Sequence, residues 1–229
     1  MTPEENWLEA VWPFVQESLP PSPARVLEIG CGPLGGFVPR LRAAGHRATG
    51  IDPEAPQGPD YRQVRFESYI SVEPADAVVA CASLHHVSDL DEVVDKVQAI
   101  LAPGGSVVVV EWASERFDEP TARWCFDRLN PPGGEHDWLN QCHAEWRASG
   151  LPWEAFHRHW ADEERLHGGD DVVRRLENRF DRQRLEQGPY FFAGLNQVSV
   201  ADEQAAIDGG LIQANRIQYV GTLGRPATE

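Results

Sequence analysis

Apolar positions in this chain gather into short blocks, some alternating and some nearly continuous, separated by stretches of helical period. Arg25–Ile29 (RVLEI) reads as a short apolar β-strand, and Arg47–Ile51 as a second that closes on Asp52-Pro53. Tyr61–Phe66 alternates like a third, and Ala75–Ala80 (ADAVVA) is a fourth. Ser106–Glu111 (SVVVVE) is a fifth, continuous enough to be buried on both faces. Phe37–Ala44 reads as a helix ended by Gly45, and Pro103-Gly104-Gly105 as a turn. Asp89–Leu101 has the helical period with acidic residues in its first turn, where the helix dipole favours them. Ahead of these, Asn6–Leu19 carries Trp7, Leu8, Val11, Trp12, Val15 and Leu19 at helical spacing until PPSP stops it, which predicts an amphipathic capping helix.

Strands and helices alternating at such short spacing imply right-handed crossovers and a mostly parallel sheet. After Glu111 the pattern changes. Trp112 to about Asn178 reads as largely helical and contains Trp124, Trp138, Trp146, Trp153 and Trp160, with five of the eight histidines. Asp170–Asn178 reads as the helix returning to the sheet. Phe180–Phe192 and Arg216–Leu223 are candidate last strands, joined through a helix at Asp202–Asp208. The expectation is one α/β domain over 1–229 built on an open, doubly wound, mostly parallel seven-stranded sheet. Within it lie a capping helix (1–20), a core (24–111), a helical insert or lid after the fifth strand (112–178) and C-terminal strands (179–229).

Composition narrows the class of protein. The length of 229 residues suits one domain with a full core, and 41% apolar with 24% charged residues excludes wholesale disorder. Acidic residues outnumber basic ones 36 to 20, a net charge of −16 that opposes a phosphate backbone, so no nucleic-acid partner is expected. The same field attracts cations, although a charge excess is ordinarily just a solvated surface. Cys31, Cys81, Cys125 and Cys142 show no CxxC spacing, which fits a reduced compartment. MTPEENWLEAVWPF has neither a basic nor an apolar signal region, and no stretch reaches membrane-spanning length. A soluble, cytoplasmic protein without a membrane partner is expected. Oligomeric state leaves no trace in the pattern.

Gly30-Cys31-Gly32-Pro33-Leu34-Gly35 is G-x-G-x-x-G directly after a strand, and Asp52 ends the next strand. By pattern this is a dinucleotide fingerprint, hence an NAD(P)-dependent oxidoreductase. Its surroundings point elsewhere. Glu28, two residues before the first glycine, would face a pyrophosphate unfavourably but suits an ammonium. Pro33 disturbs the turn that would place a helix N-terminus under phosphates. Asp52 serves either reading, because a ribose diol is common to both.

Val26–Gly32 (VLEIGCG), Gly50-Ile51-Asp52, Asp76–Val79 running into Leu84-His85-His86-Val87, and Leu101–Gly105 (LAPGG) before a strand resemble the class I S-adenosylmethionine-dependent methyltransferases, in that family's order, over about residues 24–111. The glycine turn departs from the family pattern by one residue, GCGPLGG, which leaves open whether Gly35 or Gly36 lies under the cofactor. The resemblance implies S-adenosylmethionine as cofactor and a small-molecule acceptor. It also implies that Gly30 and Gly32 admit the cofactor to the backbone and that Glu28 lies near its amino-acid end. Asp52 would hold the ribose hydroxyls, Glu67 would lie near the adenine amino group, and Cys81–Ser83 would line the methionine side.

Methyl transfer from a sulfonium is an in-line displacement, so the protein chiefly positions the nucleophile and excludes water. A base is needed if the acceptor is a hydroxyl or a charged amine. His86 and His85 follow the fourth strand where ligands collect in open sheets, and imidazole titrates near neutrality. His86 is the first candidate base, with a capping or packed histidine as the alternative. Glu111, ending the fifth strand, is a candidate to orient it. The insert tryptophans either line an aromatic acceptor pocket or pack a core. His136, Cys142 and His143 match no metal spacing, so no metal site is expected. A protein of the same fold that binds the cofactor without turnover stays open.

Overall fold

The computed structural model describes residues 2–131 and 138–224. Seven strands form one sheet: β1 (Arg25–Ile29), β2 (Arg47–Ile51), β3 (Tyr61–Arg62), β4 (Ala75–Cys81), β5 (Leu101–Trp112), β6 (Asp181–Gly188) and β7 (Arg216–Thr222). Their order is β3-β2-β1-β4-β5-β7-β6. β1 to β5 run parallel, and β7 is antiparallel to both its neighbours. The expected open, mostly parallel sheet is what the chain forms. From β1 the chain winds outward through β2 and β3, then returns to place β4 on the other side of β1. The C-terminal ends of β1 and β4 therefore flank the topological switch point, where open sheets bind ligands.

Period-two alternation divides the central strands between two cores. Leu27, Ile29, Val78, Ala80, Val107 and Val109 face α3 (Leu90–Ile100) and α7 (Gly169–Glu177), which contribute Val93, Val94, Val97, Val172 and Leu176. Val26, Ala77, Val79, Val108 and Val110 face α1 (Pro3–Glu17) and α2 (Val38–Ala43) through Val11, Phe14, Val15, Val38 and Leu41. Thr2 and Glu5 close a capping box at the start of α1. Between β5 and β6 lie α4 (Glu119–Phe126), α5 (Trp138–Ser149), α6 (Trp153–Glu163) and α7. Their aromatic residues gather with Trp112 and Phe191 into a third cluster beyond the end of β5. α8 (Val200–Asp208) precedes β7.

Three boundaries differ from expectation. The third strand is only Tyr61–Arg62, because the chain turns into a single helical turn at Phe66–Ser68 that buries Phe66. The Pro103-Gly104-Gly105 turn lies inside β5, absorbed as an irregularity between the pairs Ala75–Leu101 and Ala77–Ser106. β6 stops at Gly188: Pro189 has no N–H for the ladder, and Phe180 belongs to the core instead. Among the described residues no helix is long and apolar enough to cross a membrane.

Candidate functional site

A cavity of about 860 Å³ opens at the switch point, a size that accommodates a nucleoside-sized molecule beside a small second one. Its floor is the meeting of two loops. Gly30 leaves β1 at φ +74°, and a Cβ there would fall 2.3 Å from Cβ of Ser83 on the loop after β4. Ser83 donates its hydroxyl to the Ile29 carbonyl at 3.0 Å, which ties the two loops together. Ala82, before it, holds φ +49°, an uncommon conformation for a non-glycine residue that recurs at ligand sites.

Glu28 is buried, and both its carboxylate oxygens lie 2.9 Å from the Phe37 nitrogen at the entrance to α2. Gly36 packs directly on that carboxylate and lines the cavity, whereas Gly35 packs on the Tyr61 ring. Burial, with the nearby Asp52 charge adding to it, pushes the Glu28 carboxyl up to about 8 against the opposing backbone hydrogen bonds. The arrangement bears on ligand class. The N–H that a pyrophosphate would use at a glycine-turn helix is already taken by a protein carboxylate, which occupies the phosphate's place. A dinucleotide fits poorly here, while a cofactor with a cationic amino-acid end does not need that donor.

Asp52, past the end of β2, accepts from the Gly32 nitrogen at 3.1 Å and from the Glu54 nitrogen at 2.7 Å, one through each oxygen. Each oxygen keeps a second lone pair, so the carboxylate can still accept from a diol in the cavity. Gly32, at φ +61°, faces α1, where a Cβ would make only an ordinary contact with Oε1 of Glu4 at 3.6 Å. Glu67 also lines the cavity, and its backbone carbonyl is held by Nζ of Lys96 at 2.6 Å. Lys96 thereby anchors the turn beneath Arg65 and Phe66.

Glu111 is completely buried and gathers the loop after β4 onto β5. Its Oε1 accepts from the Ser83 and Leu84 nitrogens at 2.7 and 2.6 Å, and its Oε2 lies 2.5 Å from Nδ1 of His85. The histidine that Glu111 orients is thus His85 and not His86. His86 packs on the His85 ring at 4.1 Å, tilted by 44°, and is exposed. Desolvation by the cavity wall and the neighbouring His85 hold it below the ordinary imidazole range. His167, in the return from α6 to α7, donates its backbone N–H to the His85 carbonyl at 3.0 Å and sets Nε2 against the Val87 carbonyl at 2.9 Å.

The far end of the cavity is aromatic. Trp112, Trp138, Trp160, Tyr190 and Phe191 line it, with Trp7 of α1 set edge-on to Tyr190. The insert tryptophans divide: Trp138 and Trp160 face the cavity and Trp153 is core. Trp124 and Trp146 lie beneath the guanidinium groups of Arg128 and Arg123. Glu203, fully buried on α8, accepts from the Tyr190, Phe191 and Phe192 nitrogens at 2.7, 3.2 and 2.6 Å and fixes this wall.

Sequence patterns brought Glu28, Gly30, Gly32, Asp52, Glu67, Ser83, His85, His86 and Glu111 to one cavity or its walls. They missed His167, Tyr190 and Glu203. An acidic residue inside the apolar face of α8 is the one signal that pointed to Glu203. Among the described residues no group of three or more His, Cys, Asp or Glu is placed to hold a metal. His136 lies outside the described residues, and His143 stacks on Phe126.

The profile of a family described as "Methyltransferase domain" matches residues 6–164. A ubiquinone biosynthesis O-methyltransferase of Xylella fastidiosa is 33% identical over 112 residues, covering 42% of this chain and 45% of the relative. The chain spans about half the length of the curated relatives it matches. Among solved structures, an S-adenosylmethionine-dependent methyltransferase from Mesorhizobium loti superposes with a TM-score of 0.57 at 17% identity, covering 94% of this chain and 99% of that one. The N-methyltransferase NodS from Bradyrhizobium japonicum, solved with S-adenosylhomocysteine, gives 0.53 at 16% identity over 97% and 88%.

Proposed function

The chain belongs to the methyltransferase-domain family, and on that premise we propose that it moves the methyl group of S-adenosylmethionine to a small-molecule acceptor in the cytoplasm. One observation carries the cofactor assignment: the buried Glu28 carboxylate closes the glycine turn to a phosphate while Asp52 keeps acceptor capacity towards the cavity. Asp52 would hold the ribose hydroxyls, and Glu28 with the loop at Cys81–Ser83 would surround the methionine end. Glu67 and Phe66 would border the adenine. The sulfonium supplies an already activated methyl carbon. The protein's part is to align an acceptor with it and keep water away. α1 and the segment 112–178, from which α5 and α6 reach the cavity, would serve as the lid. The curated relatives and a fold neighbour are methyltransferases by name, the former on oxygen and the latter on nitrogen, which agrees with transfer to a heteroatom.

Thermal unfolding with added ligand tests this directly. S-adenosylhomocysteine at a hundred times its Kd stabilises the folded state by about 2.7 kcal/mol, so the melting temperature rises while NADH leaves it unchanged. A rise with NADH alone overturns the proposal. A screen with methyl-labelled cofactor then identifies acceptors.

A further inference from the structure

We propose that the aromatic end of the cavity receives a flat, apolar acceptor bearing a hydroxyl group, and that His85, aligned by Glu111, takes the hydroxyl proton. This rests on the methyl-transfer reading above and names its acceptor class. Trp112 and Tyr190 stack at 5.9 Å with rings 12° apart, Trp138 and Trp160 stack at 6.2 Å and 18°, and Trp112 meets Trp138 at 5.1 Å. Stacked on one another, these cavity-lining rings make a stiff, mostly apolar wall, which suits a flat apolar ligand. The His85 ring stands edge-on to Trp112 at 6.2 Å, so the base and the aromatic wall are one surface.

The hydrogen-bond pattern sets the tautomer. Glu111 has its Oε1 committed to two backbone donors and turns Oε2 to Nδ1 of His85. A carboxylate only accepts, so Nδ1 carries the hydrogen and Nε2 is left with a lone pair. A lone pair in an apolar wall is matched to a neutral O–H donor. Ring faces and Glu164, which also lines the cavity, attract an ammonium too, so an arylamine is the competing acceptor class that the test must separate. A carboxylic acid acceptor would arrive ionised, need no base and add an anion beside Glu111. In the step itself, the acceptor oxygen forms its bond to the methyl carbon as the sulfur–carbon bond breaks, with that electron pair remaining on sulfur. The O–H proton passes to Nε2, and Glu111 stabilises the imidazolium until it loses the proton to water. Among the described residues His86 has no carboxylate within hydrogen-bonding distance, so it is the residue against which His85 is compared.

The test uses the full chain loaded with S-adenosylhomocysteine, whose affinity is first measured by calorimetry. Alkyl-substituted phenols and catechols, the matching arylamines and the matching aryl carboxylates are then titrated against tryptophan fluorescence, and those that bind are assayed with methyl-labelled cofactor. Phenols are expected to change the fluorescence and to be methylated. His85→Asn is expected to lower turnover by about 10²–10⁴-fold with S-adenosylhomocysteine affinity kept within about twofold. Glu111→Gln keeps an oxygen for Ser83 and Leu84 but turns an amide donor to Nδ1, driving the ring hydrogen to Nε2. It should lose turnover to a similar extent, with the altered tautomer visible in the ¹⁵N shifts of the imidazole. His86→Asn is expected to lose at least tenfold less turnover than His85→Asn. Binding by arylamines or carboxylates in place of phenols, no phenol binding, or equal losses at His85 and His86 overturns the proposal. If the unmodified chain fails to bind S-adenosylhomocysteine, the methyl-transfer reading itself falls, and this proposal with it.

Discussion

Both carboxylate oxygens of Glu28 lie 2.9 Å from the backbone nitrogen of Phe37, so the end of β1 and the start of α2 share one buried carboxyl group. Its position makes the glycine turn a closed structure even without a ligand. It also has consequences for stability.

With the folded carboxyl raised from 4.5 to about 8, the unfolded chain releases this proton first as pH rises. Folded stability attributable to Glu28 is therefore greatest below about pH 4.5 and is lost as pH climbs to about 8. Glu28→Gln, which cannot ionise, should remove that decline. Thermal unfolding of the ligand-free protein from pH 5 to 8 measures it. A difference between wild type and variant that does not change with pH would show that the carboxyl does not titrate in this range.

Asp52→Ala should lower affinity for S-adenosylhomocysteine by about tenfold or more, the equivalent of losing one or two charge-assisted hydrogen bonds of roughly 1.5–3 kcal/mol each. The Gly32 and Glu54 nitrogens lose their partner but face the cavity and solvent, so the fold should survive. Calorimetry that finds unchanged affinity removes Asp52 from the site.

Gly30→Ala combines an unfavourable φ of +74° with a Cβ that meets Ser83 at 2.3 Å. The loops of β1 and β4 must part, and we expect a loss of about 1–3 kcal/mol of stability together with weaker ligand binding. Gly32→Ala shares the positive φ, but its Cβ meets only Oε1 of Glu4 at 3.6 Å, so its loss should be smaller. Chemical denaturation of the two variants gives the comparison, and equal losses would mean that the contact with Ser83 is not what restricts position 30.

His157 is enclosed by the rings of Phe117, Trp153 and Trp160, and its buried Nε2 has no hydrogen-bond partner among the described residues. Burial lowers its pKa from 6.5 to about 4. The unfolded chain thus binds this proton first as pH falls, and stability is lost between about pH 6.5 and 4. His157→Phe retains the stacking and should flatten that limb. Hydrogen exchange across α5 and α6 at pH 5 and 7 locates the effect, and equal protection at both pH values would exclude it.

Buried Glu203 holds three successive backbone donors of the Tyr190–Phe192 segment. Glu203→Gln presents one oxygen where two accept now, so the segment should loosen. We expect weaker acceptor binding with cofactor affinity nearly unchanged, read by titration of the cofactor-loaded protein. A matching loss of cofactor affinity would indicate a general effect on the fold.

Local chemistry was enough to recover much of this protein from its sequence. β1, β4 and β5 are legible because a central strand buried on both faces needs a mostly apolar run, and such a run is a property of consecutive residues. The glycine turn, Glu28 and Asp52 are legible for a similar reason: positive φ and a carboxylate at a strand end are local requirements. The short third strand was not, since Tyr61–Phe66 alternates well enough and only the demand to bury Phe66 bends it away.

Partnership between distant side chains was decided by the tertiary structure alone. His85 and His86 are adjacent and chemically identical, and nothing in their order says which one meets Glu111, 26 and 25 residues on. The register of β4 against β5, with Ala80 beside Val109 and Cys81 beside Val110, brings Glu111 level with the loop that starts at Ala82. The unusual backbone of Ala82 then turns His85 inward and leaves His86 at the rim. His167, Tyr190 and Glu203 reach the cavity through chain returns of many residues. A sequence lists such groups, but only closure of the sheet and packing of the helices after β5 set them within hydrogen-bonding distance.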